Sequence, residues 1–258
     1  MNGLSFLISG ALDRCLSACV DGVLPQRCVV CGLSVSSSTL RPAPVCASCV
    51  AGLEPISGER CRVCGVGLVS EHETCLRCRG RELFYDRHVS VFAYAGVAKQ
   101  LIIAYKFGAR VSLADVFAPF LTEVLLRHFV PPPAGEDTVS TVPEVVLVPV
   151  PPSRSGARKR GWDQVAGLSR RVRRLARIEA AAVLQRRGGR EQKRLDVQGR
   201  SANLLGTVRL RNGGEQLQGR NVVLLDDVYT TGATINECAR VLRTAHAARV
   251  DAVTLAAD

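Results

Sequence analysis

The C-terminal two thirds of the chain alternate between short apolar runs and segments in which apolar residues recur every three or four positions. The apolar runs predict strands over residues 87–96, 145–151, 181–186, 221–225 and 249–257. The three-to-four-residue period predicts helices over residues 97–108, 113–129, 164–175 and 233–245. Strands that alternate with helices are typical of a mainly parallel sheet with helices on both faces. The pattern therefore predicts an α/β protein.

Prolines and glycines mark the connections between these elements. Pro119 predicts either a kink in the second helix or a late start for it. The proline-rich stretch 130–144 is interpreted as a linker, and the basic, glycine-containing stretch 153–164 as a loop. Asp163 is well placed to cap the third helix. The stretch 188–206 shows no clear periodicity and is predicted to be a mobile loop.

Residues 1–25 are predicted to form an amphipathic helix. Apolar side chains fall at helical spacing at Leu4, Ile8, Ala11, Leu12, Cys15 and Cys19. No basic residue precedes the apolar part, and Asp13 and Arg14 interrupt it, so the pattern does not indicate a signal peptide. No apolar run approaches the roughly 18 residues that a membrane span needs. We therefore expect a cytoplasmic protein without membrane insertion.

Ten of the eleven cysteines lie before residue 79, and eight of them form Cys-x-x-Cys pairs. The pairs are Cys28/Cys31, Cys46/Cys49, Cys61/Cys64 and Cys75/Cys78. The first and third pairs are each followed by glycine, so a CxxCG…CxxC unit occurs twice. Two such turns supply the four thiolates of a closed, tetrahedral zinc site. The repeat predicts two structural Zn²⁺ sites with sequential pairing, in a double zinc-ribbon module over residues 26–80.

The sequence leaves two alternatives to this interpretation open. An even number of cysteines also permits a disulfide framework, although such frameworks belong to secreted proteins. Interleaved pairing of the zinc ligands also satisfies the spacing, but it needs longer crossings. Cys15, Cys19 and Cys238 fall on helical patterns and are interpreted as core thiols.

The net charge of +11 is confined to one part of the chain. Residues 154–200 contain 15 Lys or Arg and 4 Asp or Glu, whereas the rest of the chain holds 19 of each class. Such a segment is either a solvated basic face or a surface that binds a polyanion. The polyanion is then a phosphorylated small molecule or a nucleic acid.

The stretch NVVLLDDVYTTGAT, residues 221–234, places two adjacent aspartates directly after an apolar strand. In open α/β sheets, ligands bind beyond the carboxyl ends of the strands, where Asp226 and Asp227 should lie. The threonine loop that follows (residues 230–234) offers backbone N–H groups at the start of a helix, which favours a phosphate. Two carboxylates nearby suit the vicinal hydroxyls of a ribose and a divalent cation. The pattern predicts a ribose 5-phosphate, although strand-end acids before a glycine turn also occur as plain caps.

The same stretch closely resembles the phosphoribosyl pyrophosphate (PRPP) motif of type I phosphoribosyltransferases. From residue 28 onward the chain resembles the ComF family of that superfamily, which is associated with DNA uptake in natural competence. The resemblance includes the cysteine pairs, YAGVAKQLIIAYKFG, VPVPPSRSGARKRGWDQ, and the spaced residues Arg186, Gln192, Leu195, Arg200 and Asn203. Where the family usually has Phe-Asn-Gln, this chain has Trp162-Asp163-Gln164, which adds a negative charge.

The resemblance implies a type I phosphoribosyltransferase fold over residues 81–258 that binds PRPP with Mg²⁺. It implies that a catalytic pair, Asp226 and Asp227, contacts the ribose hydroxyls. The residues implied to cradle the 5-phosphate are Thr230, Thr231, Gly232, Ala233 and Thr234. The residues implied to face the pyrophosphate, in the loop after VPVP, are Arg154, Arg160 and Gly161. Further implied contacts to the same ligand are Lys106 and Arg186.

Two classes of function follow from the resemblance. An enzyme displaces pyrophosphate from the ribose C1′ with a nitrogen nucleophile, and the protein positions the reactants and neutralises the leaving group. A binding module instead senses PRPP, or holds single-stranded DNA, within a DNA-uptake complex. The basic segment and the zinc ribbons favour the module, but Trp162 is the only aromatic residue between residues 154 and 200 for stacking on bases. The sequence does not indicate an acceptor pocket, and an oligomer is compatible with either function.

Overall fold

A computed structural model describes residues 26–35, 43–68, 72–76, 78–131, 145–186, 206–211 and 213–258. The predicted helix over residues 1–25, with Cys15 and Cys19, lies outside the described residues. The same holds for residues 132–144 of the predicted linker and for residues 188–205 of the predicted loop. That loop includes Gln192, Leu195, Arg200 and Asn203.

The described part of the chain contains nine strands, six α-helices and one 3₁₀ helix. The strands are β1 Gln26–Arg27, β2 Ser34–Val35, β3 Arg87–Ala93, β4 Val145–Pro149, β5 Glu179–Ala180, β6 Leu184–Arg186, β7 Val208–Leu210, β8 Asn221–Tyr229 and β9 Arg249–Ala257. The α-helices are α1 Ala47–Ala51, α2 Gly96–Phe107, α3 Leu113–His128, α4 Arg154–Arg160, α5 Gln164–Ala176 and α6 Ala233–Thr244. The 3₁₀ helix is Gly214–Leu217.

Five parallel strands form the central sheet, in the order β3-β9-β8-β4-β5. Strand β8 lies in the middle, and its Leu224 pairs with Ala252 of β9 on one side and Val148 of β4 on the other. Both faces of β4 and β8 are buried, which explains their continuous apolar sequences. The predicted parallel α/β fold is confirmed.

Different helices cover the two faces of the sheet. On one face, Leu101 of α2, Phe117 of α3 and Leu168 of α5 share a core with Val223 of β8. On the other face, α6 packs its buried side chains, such as Leu242, against the sheet. The two cores bring α2, α5 and α6 to the carboxyl end of β8 from opposite sides.

The segment predicted as a basic loop, residues 153–164, contains the helix α4. The Ser153 side chain caps its start by accepting a hydrogen bond from Gly156 N at 3.1 Å. Gly161 ends it in the left-handed conformation, with φ of 71°. These two caps compensate for the weak helix propensity of Gly156, so the loop prediction was wrong here. The predicted cap at Asp163 is confirmed, since its side chain accepts from Ala166 N at 2.9 Å.

Two further predictions differ from the structure. The strand predicted over residues 181–186 does not join the central sheet, because β6 pairs antiparallel with β7 while β5 pairs with β4. Apolar composition indicates a strand, but its partner depends on residues far along the chain. The late start proposed for the second helix is wrong, since α3 begins at Leu113 and continues through Pro119.

The cysteine-rich segment covers the β3 side of the sheet. Ile56 N donates to Val91 O at 2.8 Å, and His88 N donates to Arg62 O at 2.7 Å, so this segment hydrogen-bonds the edge strand β3. An edge strand covered in this way does not expose its backbone groups for pairing with another chain. None of the helices within the described ranges has the length and hydropathy needed to cross a bilayer.

Candidate functional site

The eight paired cysteines form two separate four-sulfur groups. The first ribbon contributes Cys28, Cys31, Cys46 and Cys49, and the second ribbon contributes Cys61, Cys64, Cys75 and Cys78. Within each group the sulfur atoms lie within 4.8 Å of one another. The closest sulfur contacts are 3.6 Å between Cys31 and Cys46 and 3.7 Å between Cys64 and Cys75. Zn–S bonds of about 2.3 Å at tetrahedral angles separate sulfur atoms by about 3.8 Å, so both groups fit Zn²⁺.

This grouping confirms the predicted sequential pairing and excludes the interleaved one. The sulfur separations also exceed the roughly 2.05 Å of a disulfide bond. In each ribbon a glycine with positive φ closes the first turn, with Gly32 at 75° and Gly65 at 72°. Four thiolates leave no open coordination position, so both sites are structural. Cys238 of α6 is fully buried, as predicted for a core thiol.

Strand β8 presents the two aspartates on opposite sides. The strand continues to Tyr229, so Asp226 and Asp227 lie within it rather than after its end as predicted. Successive strand residues point to opposite faces. Asp226 lines an open depression of roughly 240 Å³ together with residues of the threonine loop. Asp227 instead meets side chains of α2 and α5.

Asp227 is buried, and two helices hold its carboxylate. Lys106 Nζ at the end of α2 lies 2.9 Å from Oδ1, and Gln164 Nε2 at the start of α5 donates to Oδ2 at 2.9 Å. The Tyr105 hydroxyl donates to the Gln164 carbonyl at 2.7 Å, which fixes the start of α5 beside the site. Lys106 therefore compensates the charge of a buried carboxylate that would otherwise be costly.

The pKa of the Asp226 carboxyl group is strongly raised in the folded protein. Burial raises the pKa of Asp226 to about 7, and the neighbouring Asp227 charge acts in the same direction. A hydrogen bond from Asp227 N, at 2.8 Å to Asp226 Oδ1, and the charges of Lys106 and Arg186 lower that pKa in part. Perturbed carboxyl groups of this kind are concentrated at functional sites. A cation or hydroxyl donors in the depression would favour the ionised form.

The threonine loop closes the depression at the start of α6. Gly232 adopts φ of 75°, and a Cβ on it would lie 2.3 Å from the Tyr229 hydroxyl, so only glycine fits here. Ala233 N is 3.4 Å from Thr231 Oγ1, and the helix has no side-chain cap at Gly232. The first N–H groups of α6 and the positive end of its dipole thus face the depression that Asp226 lines.

Arg186 reaches the same loop from β6. Its Nη2 donates to Thr234 Oγ1 at 3.1 Å, while its Nε is buried without a hydrogen-bond partner in the described part of the chain. The structure thus brings together Arg186, Asp226 and all five residues of the threonine loop. Lys106 lies on the other side of β8, where it contacts Asp227 rather than the depression.

The predicted pyrophosphate residues lie on α4, next to this site. Val150 N, just before α4, donates to Leu225 O of β8 at 2.9 Å, so α4 starts at the same edge of the sheet. Arg154 begins α4, and Gly161 ends it. Arg160 lies close to Gly156 of its own helix, and its Nε has no hydrogen-bond partner among the described residues.

Three residues at the site received no role from the sequence. Gln164 and Tyr229 lie inside the motifs that carry the resemblance, so their position was a signal for both. Arg81 follows the last zinc ligand, and its Nη2 donates to Thr231 O at 2.8 Å. No sequence pattern connects Arg81 to a loop 150 residues away.

Two domain families match the chain. Residues 19–79 match the double zinc ribbon domain, and residues 178–258 match the phosphoribosyl transferase domain. The first match includes all eight ligands of the two zinc sites. The second includes Arg186, both aspartates and the threonine loop.

Curated proteins with similar sequences cover most of the chain. Competence protein ComFC of Streptococcus pneumoniae is 27% identical over 244 residues, which are 89% of this chain and 99% of that protein. DNA utilization protein YhgH of Escherichia coli O6:H1 is 30% identical over 185 residues, which are 70% of this chain and 77% of that protein. Among solved structures, glutamine PRPP amidotransferase from B. subtilis is 15% identical, with a TM-score of 0.38 over 60% of this chain and 30% of that chain.

Proposed function

This chain belongs to the ComF family, and on that premise we propose that the depression beside Asp226 binds PRPP with Mg²⁺. The observation that carries the proposal is one open depression at the carboxyl edge of β8, which Asp226 and the threonine loop line, with Arg186 hydrogen-bonded to Thr234 of that loop. An anion-binding helix start and a carboxylate next to it match the two ends of a ribose 5-phosphate. A plain helix cap would not need Arg186.

The 5-phosphate occupies the threonine loop in this proposal. The N–H groups at the start of α6, the Thr231 and Thr234 hydroxyls and the Arg186 guanidinium are its donors. Hydrogen bonds to a charged phosphate from such donors are worth about 1.5–3 kcal/mol each. Gly232 allows the loop to pass directly over Tyr229, which leaves room for the phosphate above it.

The ribose hydroxyls lie at the aspartates. Asp226 faces the depression directly, whereas a contact between Asp227 and the ribose requires its carboxylate to turn away from Lys106 and Gln164. Carboxylate oxygens suit Mg²⁺, and when bound this ion neutralises charge on the leaving pyrophosphate. The pyrophosphate lies beside α4 in this proposal, a helix that begins at Arg154 and ends with Arg160 and its capping residue Gly161.

The reaction that this arrangement supports is phosphoribosyl transfer. The bond from C1′ to the pyrophosphate oxygen breaks, a bond from C1′ to the nitrogen nucleophile forms, and the nucleophile loses a proton. Positive charge develops on the ribose ring, and the Asp226 carboxylate stabilises it by its fixed position. Positioning of the two reactants provides the remaining acceleration.

A screen for PRPP-dependent pyrophosphate release tests the enzyme hypothesis. Each nucleobase or amine is added with PRPP and Mg²⁺, and released pyrophosphate is measured for the wild type and for Asp226→Asn. Release with at least one acceptor, lost in the variant, is the expected result. If PRPP binds but no acceptor causes release, the non-catalytic alternative is correct and the protein senses PRPP.

A second candidate function is the binding of single-stranded DNA in a DNA-uptake complex. The observation that favours it is a row of exposed arginines at the end of α5 and just after it: Arg170, Arg173, Arg174 and Arg177. The names of the relatives, competence protein and DNA utilization protein, are compatible with this context. Arginines of this kind bind phosphates without reading sequence.

We also propose a location and a division of the chain. A cytoplasmic location keeps the eight zinc-binding thiols reduced. The proposed module boundary, between residues 80 and 81, lies after the last zinc ligand Cys78 and before the first central strand at Arg87.

A further inference from the structure

We propose that the second ribbon positions the threonine loop, and that Arg81 is the positioning residue through which it acts. Through Arg81, the zinc site of this ribbon would determine how firmly the loop is held in the conformation that binds an anion. The identity of that anion rests on the proposed function. The positioning itself rests on contacts between the ribbon and the loop, and these contacts are independent of the ligand.

Arg81 connects the two sites directly. It lies three residues after the zinc ligand Cys78, and its Nη2 donates to the Thr231 carbonyl at 2.8 Å. Its positive charge also lies close enough to the Cys78 sulfur to interact with it. This hydrogen bond fixes the peptide group of Thr231, a residue that lies in the chain between the two aspartates and the start of α6.

A second connection runs through two buried tyrosines. The Tyr85 hydroxyl donates to Val63 O at 3.1 Å, and Val63 lies between the zinc ligands Cys61 and Cys64. The Tyr85 and Tyr229 hydroxyls are 3.0 Å apart. The Tyr229 hydroxyl in turn lies directly beneath Gly232, where even one added carbon would collide with it. The turn of the second ribbon therefore fixes the floor of the threonine loop.

A third set of contacts fixes the helix that follows the loop. Phe84 N donates to Asn236 Oδ1 of α6 at 2.7 Å, and Arg243 Nε of α6 donates to Phe84 O at 3.1 Å. The segment after the second ribbon thus holds both ends of α6. Donors fixed before the anion arrives avoid the entropic cost of ordering them on binding.

The first ribbon offers a matched control within the same chain. It has the same four-cysteine chemistry, but Cys28, Val45 and Leu53 pack into the core on the opposite face of the sheet, with α2 and α3. Loss of its zinc ion removes a metal and disturbs one core without touching the contacts of Arg81 or Tyr85. The two ribbons therefore predict different outcomes for the same substitution.

The experiment compares Cys64→Ser and Arg81→Gln with the controls Cys31→Ser and Arg79→Gln. Arg79 contacts the Thr74 carbonyl of its own ribbon, at 3.4 Å, and its substitution removes the same charge as that of Arg81. Zinc content, amide hydrogen exchange of residues 229–235 and calorimetric affinity for PRPP with Mg²⁺ are measured for each full-length protein. Arg81→Lys, which keeps a donor and the charge, tests rescue.

We expect exchange in the threonine loop to accelerate about tenfold or more in Cys64→Ser and Arg81→Gln, because the loop opens more often. PRPP affinity should fall by about tenfold in the same two proteins. Arg81→Gln should still bind two zinc ions, and Arg81→Lys should recover part of the affinity. Arg79→Gln should stay within about twofold of the wild type in exchange and affinity, and Cys31→Ser should stay within about twofold in loop exchange.

Unchanged loop exchange in Arg81→Gln would overturn the inference, whatever PRPP does. Equal effects of Cys31→Ser and Cys64→Ser on the loop would also overturn it, because general destabilisation would then be the cause. If the wild type fails to bind PRPP, the proposed function fails, and loop exchange alone decides the inference.

Discussion

At the scale of single residues, two adjacent carboxylates in β8 have become chemically different. Asp227 has a lysine and a glutamine for partners, whereas Asp226 lines an open depression and has a raised pKa. The alternation of side chains along a strand produces this difference. The two adjacent aspartates, whose charges repel each other, therefore differ in role. Protein side chains hold the Asp227 carboxylate, and the Asp226 carboxylate is available to a ligand.

The raised pKa of Asp226 predicts how stability depends on pH. Since the pKa rises from 3.8 to about 7 on folding, the native state favours the protonated form. The stability that this group contributes is present at about pH 4 and is lost as pH rises to about 7. At pH 8, the free energy of unfolding of Asp226→Asn should therefore exceed that of the wild type by about 1 kcal/mol or more. The variant should unfold at a higher urea concentration.

Urea unfolding of both proteins at pH 5 and pH 8 measures this effect. The advantage of the variant should be smaller at pH 5, because the native carboxyl is then protonated and the unfolded one is closer to its own pKa. A stability difference that is the same at both pH values would contradict the assignment.

The contacts of Asp227 predict the opposite effect for its substitution. Asp227→Asn removes the charge that Lys106 Nζ meets at 2.9 Å and leaves a mostly buried ammonium without its counter-charge. The variant should lose about 1.5–3 kcal/mol of unfolding free energy. A double-mutant cycle with Lys106→Met isolates the pair, and its coupling energy should be clearly favourable. Additive effects of the two substitutions would contradict the ion pair.

At the scale of elements, the two ribbons are metal-dependent folding units. Metal analysis of the purified protein should return two zinc ions per chain, and Cys28→Ser should return one. The variant should lose the structure of its ribbon while the central sheet remains folded, because the four ligands of a site act together. Far-ultraviolet circular dichroism and limited proteolysis measure the two parts. One zinc ion in the wild type would contradict the two-site account.

The elements also show what the sequence could and could not predict. The strands β4, β8 and β9 were predictable because strands buried on both faces have continuous apolar sequences. The four-sulfur groups were predictable because the CxxCG…CxxC unit repeats and sequential pairing needs shorter crossings than the interleaved pairing that the spacing also allows. Helix α4 was missed because Ser153 and Gly161 were not recognised as its caps. The partner of β6 was missed because strand pairing depends on contacts between residues far apart in the sequence.

Within the site, too, the sequence could predict some residues and could not predict others. Sequence motifs identified Asp226, Arg186 and the threonine loop. Asp226 and the loop lie in one continuous stretch, and Arg186 belongs to the spaced set of residues that resembles the ComF family. Lys106 was placed near the ligand, but its partner is Asp227, and this follows only from the packing of α2 beside β8. Arg81 and Tyr85 belong to a different part of the chain, so their contacts with the loop appear only in three dimensions.

At the scale of the whole molecule, the excess positive charge is presented partly on the outer face of α5. We predict weak binding of single-stranded DNA without sequence preference. Replacing Lys159 and Arg160 together, or Arg173 and Arg174 together, with uncharged residues should weaken the dependence of DNA affinity on salt concentration. Each lost phosphate contact should lower the slope of log K against log salt by about 0.7.

Filter binding between low and moderate salt measures these slopes. The control is the double substitution of Arg62 and Arg127 by Gln, since both are exposed and each pairs with a glutamate. If the wild type forms no complex at low salt, the DNA role is contradicted and a protein partner becomes the better alternative.

The measurement that tests the central claim most directly is calorimetry of PRPP binding in the presence of Mg²⁺. The wild type is compared with the double variant Asp226→Asn/Asp227→Asn and with Glu123→Gln, a control at an exposed carboxylate of α3 that pairs with Arg127 of the same helix. Charge-assisted hydrogen bonds worth about 1.5–3 kcal/mol each are lost only in the double variant, so its affinity should fall by at least about tenfold. Glu123→Gln should bind as the wild type does. Equal affinity of the double variant and the wild type would mean that these aspartates serve the fold alone and would contradict the account.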